Sequence, residues 1–322
     1  MQIVTRWTDE VNTDLNKVEE FLLAKHYDEM PESGTKYLNW TIKKIFTENK
    51  EIVLNGREVQ YNYYVYSVDQ IPGGIEDLED GTYTKTGFLI PYCSSGKIRY
   101  LISRNTYAQT LLRKMLFYRG RGEIVSNPVD FTGDVFVWLI SKVYSSENTI
   151  QSESDSLEDV CIDSIKGFKG NTEDLLAKVS MSGESVMNII SALSFLIESQ
   201  HLNQITIDLS YRNHTNIEVS LNNKNTIGFD EEKYLGELNQ ASREEICAVC
   251  FLTLYTEIIP IILQKYQSDI DTNMWGQGKC VEFLKKVADD LSEKVKNRIL
   301  DLNSKPEQLK QKFNSDDHAI EY

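Results

Sequence analysis

The chain has 322 residues, 41% hydrophobic and 10% aromatic, enough for one large packed domain or two ordinary ones and too much for wholesale disorder. Its formal net charge of −15 at pH 7 argues against a surface built throughout to attract nucleic acid. Five cysteines (Cys93, Cys161, Cys247, Cys250 and Cys280), odd in number and irregularly spaced, fit reduced thiols rather than a disulfide framework.

In chain order, Thr8-Asp9-Glu10 reads as a capped helix start, with Val11, Leu15, Val18, Phe21 and Leu22 recurring at helical spacing. A second helix is predicted over residues 33–47, with Tyr37, Trp40, Ile42 and Ile45 inward. Asn55-Gly56 then separates two strand-like runs, the second with Val59, Tyr61, Tyr63 and Val65 alternating. Two residues tolerant of positive φ at that point predict a tight hairpin. Pro72-Gly73-Gly74 opens an acidic loop. Strands follow at 86–92 and 97–103 around Ser94-Ser95-Gly96, then helices at 105–118 and 135–144.

The Ser-rich, aperiodic stretch 145–156 is the best candidate boundary in the chain. It divides an N-terminal part, residues 1–148, from a C-terminal part, 157–312, with a tail at 313–322. Beyond it, strands are predicted at 160–168 and 176–181 and a helix at 185–199. An antiparallel strand pair should follow around Arg212-Asn213-His214, then two long helices at 242–267 and 279–302. The expected fold class is α+β, with antiparallel sheets in both parts and a helical C-terminus. The most apolar run, 248–263, contains Glu257 and Pro260 and as helix falls short of a bilayer core of about 30 Å. With no signal-peptide pattern, the expectation is a cytoplasmic protein without membrane insertion.

Charge is segregated along the chain. Between Gly81 and Gly122 stand Lys85, Lys97, Arg99, Arg104, Arg113, Lys114, Arg119 and Arg121, and not one Asp or Glu, in a chain with 34 basic and 49 acidic residues. Tyr92, Tyr100, Tyr107, Phe117 and Tyr118 interleave with these bases. Arginine with aromatic rings combines bidentate phosphate contacts with stacking surfaces, a pairing that suits nucleic acid. The competing reading is that the bases pair internally with the acidic remainder. Lys97, Arg99, Arg104, Arg113, Lys114, Arg119 and Arg121 are the candidate nucleic-acid-binding residues.

Catalytic signatures are weak. Gly183-Glu184-Ser185 lacks the second glycine of a nucleophile elbow, and Gly167-Phe168-Lys169-Gly170 lacks P-loop spacing. Cys247-x-x-Cys250 sits in an apolar helical context without further ligands, so core packing is expected and no metal or other cofactor. Asp208 with Glu231-Glu232-Lys233 has the residue types of an Mg²⁺ nuclease, but residues 229–233 look like a strand end running into the acidic first turn of a helix.

The stretch from Ile165 to Leu175, Ile-Lys-Gly-Phe-Lys-Gly-Asn-Thr-Glu-Asp-Leu, follows a basic α+β region and resembles the middle of the phage-encoded RexA exclusion proteins. The whole-chain order is similar to accessory DNA-binding proteins of bacterial antiphage systems such as Kiwa. This resemblance implies a non-enzymatic DNA-binding sensor or regulator working with a membrane or nuclease partner. The leading expectation is therefore a nucleic-acid-binding or sensing component of a prokaryotic antiviral defence system. Its partners would be nucleic acid, DNA first, or an effector protein of the same system, with homo-oligomerisation open. The alternatives are a protein–protein adaptor or inhibitor with an acidic, nucleic-acid-mimicking surface and, third, the Mg-dependent nuclease.

Overall fold

A computed structural model describes residues 1–26, 34–72, 82–103, 106–120, 122–171, 178–182, 194, 196–197 and 201–303. The N-terminal part contains β1 (Gln2–Asp9), α1 (Leu15–Leu23), β2 (Lys36–Lys44), β3 (Lys50–Leu54), β4 (Arg57–Tyr61), β5 (Tyr64–Ile71), β6 (Tyr83–Ser94) and β7 (Lys97–Ile102). It continues through α2 (Ala108–Met115), β8 (Ile124–Ser126) and α3 (Gly133–Tyr144). After β9 (Thr149–Ile150) come β10 (Val160–Asn171), β11 (Lys178–Ser182), β12 (His201–Tyr211), β13 (His214–Asn222), β14 (Thr226–Phe229) and β15 (Leu235–Gly236). The C-terminal helices are α4 (Arg243–Thr253), a π-helical turn (Leu254–Ile258), α5 (Ile259–Asp271) and α6 (Gln277–Asn303). The α+β class and the helical C-terminus are as the sequence predicts.

The main strand path runs β11-β10-β12-β13-β14-β1-β7-β6-β4-β3, and every pairing along it is antiparallel. β1 joins its two halves. Gln2, Ile3 and Val4 pair with Phe229, Gly228 and Ile227 of β14, whereas Thr5 to Thr8 pair with Ile102 to Arg99 of β7. The expected boundary at 145–156 carries β9, which pairs with β10, and one core cluster runs from Val4 through Leu101 and Phe136 to Val219 and Val287 on either side of it. A second cluster lies on the other face of the N-terminal sheet. There Leu15, Val18 and Leu22 of α1 and Leu111, Leu112 and Met115 of α2 cover Ile98, Tyr100 and Ile102 of β7.

The predicted hairpin is present: Asn55 and Gly56 both have positive φ, 49° and 66°, and Leu54 pairs with Arg57. Two local expectations are corrected. The helix expected over 33–47 is not formed by the described residues 34–47; from Lys36 to Lys44 they form β2, paired with β5. Thr8-Asp9-Glu10 does not start one either: Asp9 ends β1 and accepts the backbone N–H groups of Val11 and Asn12, both at 2.9 Å, while Asp14 caps α1. The predicted helix at 185–199 falls largely outside the described residues, as do the acidic loop after Pro72 and the tail.

Arg243–Asp271 is the one described helical rod long and apolar enough to span a bilayer, yet 83% of its apolar window is buried inside the protein. Cys247 and Cys250 lie in that buried portion, 3% and 4% exposed, and burial pushes both thiols well above the ordinary value of 9.0. Pro260 explains the break in its regular winding. Lacking an N–H, proline cannot complete the α-helical ladder four residues back, and the backbone instead closes a wider ring from Ile259 N–H to the Leu254 carbonyl.

Asp269 of α5 ties this rod to α3. Only 2% exposed, it accepts from Trp138 Nε1 at 3.0 Å and pairs with Lys142 at 3.0 Å and Lys265 at 2.8 Å. Burial pushes its carboxyl up, but Lys265, Lys142 and Trp138 together outweigh burial and hold it below the ordinary 3.8. Asp269→Ala should cost about 3 kcal/mol in chemical denaturation, because it strands Lys265 and a buried indole N–H and leaves Lys142 only the exposed Glu147. In the wild type this contribution is present above the unfolded-state pKa and is lost as pH falls through the lower folded value. The variant should therefore show a flatter acid limb.

Candidate nucleic-acid interface

α2 carries the centre of the basic stretch. Its buried side is Ala108, Leu111, Leu112 and Met115, leaving Thr110, Arg113 and Lys114 half-exposed. Both cations fall in the last turn, where the negative end of the helix dipole favours them. The helix then ends in a double-bonded cap, with Phe117 N–H to the Lys114 carbonyl at 3.3 Å and Tyr118 N–H to the Arg113 carbonyl at 2.8 Å. This cap needs a left-handed residue, normally glycine. Here it is Phe117, at φ 56° and 44% exposed. An aromatic side chain held in that conformation stores strain, and such residues concentrate at functional sites.

Phe117 is held out against a row of rings. It stacks on His26 at a centroid distance of 4.7 Å; His26 meets Trp40 at 5.5 Å, and Trp40 stacks on Tyr37 at 6.1 Å. The His26 Nε2–H donates to the Met115 carbonyl at 3.0 Å, which fixes the ring at the end of α2. Lys114 Nζ lies 4.6 Å over the Tyr37 ring. His26, Trp40, Phe117, Arg113, Lys114 and Arg119 line a cleft of about 330 Å³. A second cleft, of about 510 Å³, flanks the start of α2 and is lined by Tyr37, Tyr83, Lys85 and Tyr107 among others. Tyr83 and Tyr107 are 54% and 70% exposed.

A buried carboxylate supports the cleft from below. Asp9, 5% exposed, accepts from the Tyr100 hydroxyl at 2.6 Å and the Tyr118 hydroxyl at 2.9 Å, and Asn12 donates to Tyr118. Burial, with Asp9 beside them, raises both phenols, so they remain neutral donors. This network fixes Tyr118 against the cleft that it helps to line.

The seven candidate residues do not share one face. Arg113, Lys114 and Arg119 converge at the C-terminal end of α2. Arg99 lies on the opposite side of the sheet, because its β7 neighbours Ile98 and Tyr100 face α1 and α2. Lys97 is exposed at the β6–β7 turn. Arg104 and Arg121 lie outside the described residues. Among the described residues, Lys85, Lys97, Arg99, Arg113 and Arg119 make no ion pair. His26 carried no signal in the sequence, and Trp40 was read there only as an inward residue of the helix expected over 33–47.

The strand end expected at residue 229 is present, as the end of β14, but the helix start expected after it is not. Asp208 pairs across strands with Glu218, β13 lies between Asp208 and β14, and residues 231–233 form a turn rather than a helix start. Lys233 bonds Glu218 at 2.7 Å, Lys166 lies 3.4 Å from Asp208, and Glu232 pairs with Arg243 at 3.4 Å. Among the described residues no group of three or more His, Cys, Asp or Glu side chains could hold a metal ion. No protein-family model matches the chain, and no curated protein matches it.

Asp9→Ala should cost roughly 2–4 kcal/mol in denaturant melts, because the Tyr100 hydroxyl and two backbone N–H groups lose their acceptor. It should also loosen the segment around Tyr118, read as faster amide exchange there than in β10–β13. Unchanged exchange around Tyr118 would refute the supporting role given to Asp9.

Proposed function

We propose that the protein binds single-stranded nucleic acid, without catalysis, in the clefts along α2, as a sensing component of a prokaryotic antiviral defence system. The observation that carries the reading is the row of rings Phe117, His26 and Trp40, backed by the buried Tyr37, beside Arg113, Lys114 and Arg119. Rings offer stacking to unpaired bases, and cations at the same cleft meet their phosphates. Paired bases in a duplex hide their faces, so this surface suits single strands. The acidic body disfavours binding elsewhere on the surface. The defence context rests on the resemblance of residues 165–175; those that are described continue β10 as far as Asn171.

An observation on α6 favours a second reading, as an adaptor. Its first half packs Phe283 and Val287 into the core, but Val295, Ile299 and Leu302, spaced along one face, are 41%, 51% and 61% exposed. A stripe of that kind suits a protein partner.

The nucleic-acid reading is tested by salt-titrated binding of single-stranded and duplex oligonucleotides. Wild type should prefer single strands. Arg113→Glu with Lys114→Glu should abolish binding, and milder substitutions at the same positions should flatten the salt dependence by about 0.7 for each phosphate no longer neutralised. Equal affinity in wild type and the double variant, at unchanged melting temperature, would refute the assignment.

Phe117→Gly separates stacking from folding. Glycine relieves the left-handed strain, so stability should hold within about 1 kcal/mol despite the missing ring. Affinity for single strands should fall by about 1–3 kcal/mol. Retained affinity would remove Phe117 from the interface.

A further inference from the structure

The opposite face of the same sheet holds a second basic pocket, of about 280 Å³, whose lining includes Arg6, Arg57 and Arg99 and no acidic side chain. Each arginine arrives by a different route. Arg6 comes from β1 and is fixed in place: it donates through Nε to the Asn127 carbonyl at 3.1 Å, through Nη2 to Asn127 Oδ1 at 3.0 Å, and through Nη1 to the Tyr255 carbonyl at 3.4 Å. Its guanidinium also lies 4.8 Å over the Tyr255 ring. Arg99 projects from β7 directly opposite Tyr92, a fully buried phenol that burial raises while Arg6 and Arg99 oppose the rise.

Arg57 follows the Asn55-Gly56 turn, and a buried carboxylate places that turn. Glu257, fully buried in the π-helical turn, accepts the Asn55 N–H at 2.5 Å and pairs with Arg212 at 3.0 Å. The tip of the β3–β4 hairpin is thereby pinned to the helix, with Arg57 beside Arg6 and Arg99. Among the described residues, neither the Arg57 nor the Arg99 side chain makes a hydrogen bond or ion pair. Three guanidinium groups around one cavity repel one another, and in a chain of net charge −15 acidic partners are abundant. The cavity contains none.

We propose that this pocket binds a small phosphate-bearing anion. Guanidinium forks match phosphate oxygens, with Arg6 as the immobile wall and Arg57 and Arg99 free to close on the ligand. The volume is slightly under the ordinary small-molecule range of about 300–1,000 Å³, which fits a phosphate or diphosphate with a small appended group and excludes a polymer. This site is independent of the α2 clefts, since β7 sends Arg99 to one face and Ile98 and Tyr100 to the other.

The test is calorimetric titration of the full chain with inorganic phosphate, pyrophosphate and AMP, in chloride at matched ionic strength. Saturable binding of one equivalent is expected for at least one of these, weakened by at least about tenfold in Arg57→Gln. Arg57 is exposed, so this variant should fold, and the Arg57→Gln, Arg99→Gln pair should abolish binding. Arg113→Glu with Lys114→Glu should leave it unchanged, so that failure here and failure of the nucleic-acid reading are told apart. No saturable heat with any of the three anions, or the same affinity in Arg57→Gln as in wild type, would overturn the proposal.

Discussion

One strand has to satisfy two sheets at once. β1 hydrogen-bonds β14 through Gln2–Val4 and β7 through Thr5–Thr8, so its register is set from both sides. A slip of one residue would turn Val4 out of the core and carry Arg6 away from Asn127 and Tyr255. The alternation of β1 also organises both candidate sites. Trp7 and Asp9 face α1 and α2, where Asp9 holds Tyr118 beneath the ring-lined cleft. Arg6 faces the other way and forms the fixed wall of the arginine pocket. The joint is reinforced by Glu257, which binds the β3–β4 turn, and by Arg212 from the β12–β13 turn, which Glu257 pairs with.

Around this frame the charges are placed unevenly. Asp269, Glu218 and Glu257 all have cationic partners, whereas Lys97, Arg99, Arg113 and Arg119 make no ion pair among the described residues. In a protein of net charge −15, unpaired arginines are retained against an easy alternative, namely pairing. The strained Phe117 follows the same logic. Glycine would end α2 at lower conformational cost, and a phenyl ring is kept there instead, stacked on His26.

Much of the framework was legible in the sequence. The Asn-Gly hairpin, the β6–β7 and β12–β13 pairs and the C-terminal helices follow from turn chemistry and periodicity. β2 was not, because Asn39, at φ 53°, makes a bulge where the register jumps between Leu38 and Thr41. The bulge buries Tyr37 and Leu38 in succession, which breaks the period of two and leaves a spacing that imitates a helix. Asp9 imitated a helix cap because a cap and a turn offer the same hydrogen bonds to following N–H groups. β1 gave no strand signal because polar Thr5 and Arg6 stand side by side in it and break the period of two, and Arg6 and Thr8 are satisfied by groups distant in sequence. The charge segregation was visible, but its division was not. The alternation of Lys97 and Arg99 with Ile98 and Tyr100 hinted at two faces, and only the packing of α2 on the Ile98 side separates Arg99 from Arg113.

The central claim is that nucleic acid binds along α2 and nowhere else on this acidic body. Hydrogen–deuterium exchange with and without a saturating single-stranded oligonucleotide tests it most directly. The account predicts protection concentrated in β2 and in residues 108–119, with the β10–β13 sheet unchanged. Protection centred on the β10–β13 sheet or on α6, with none along α2, would contradict it.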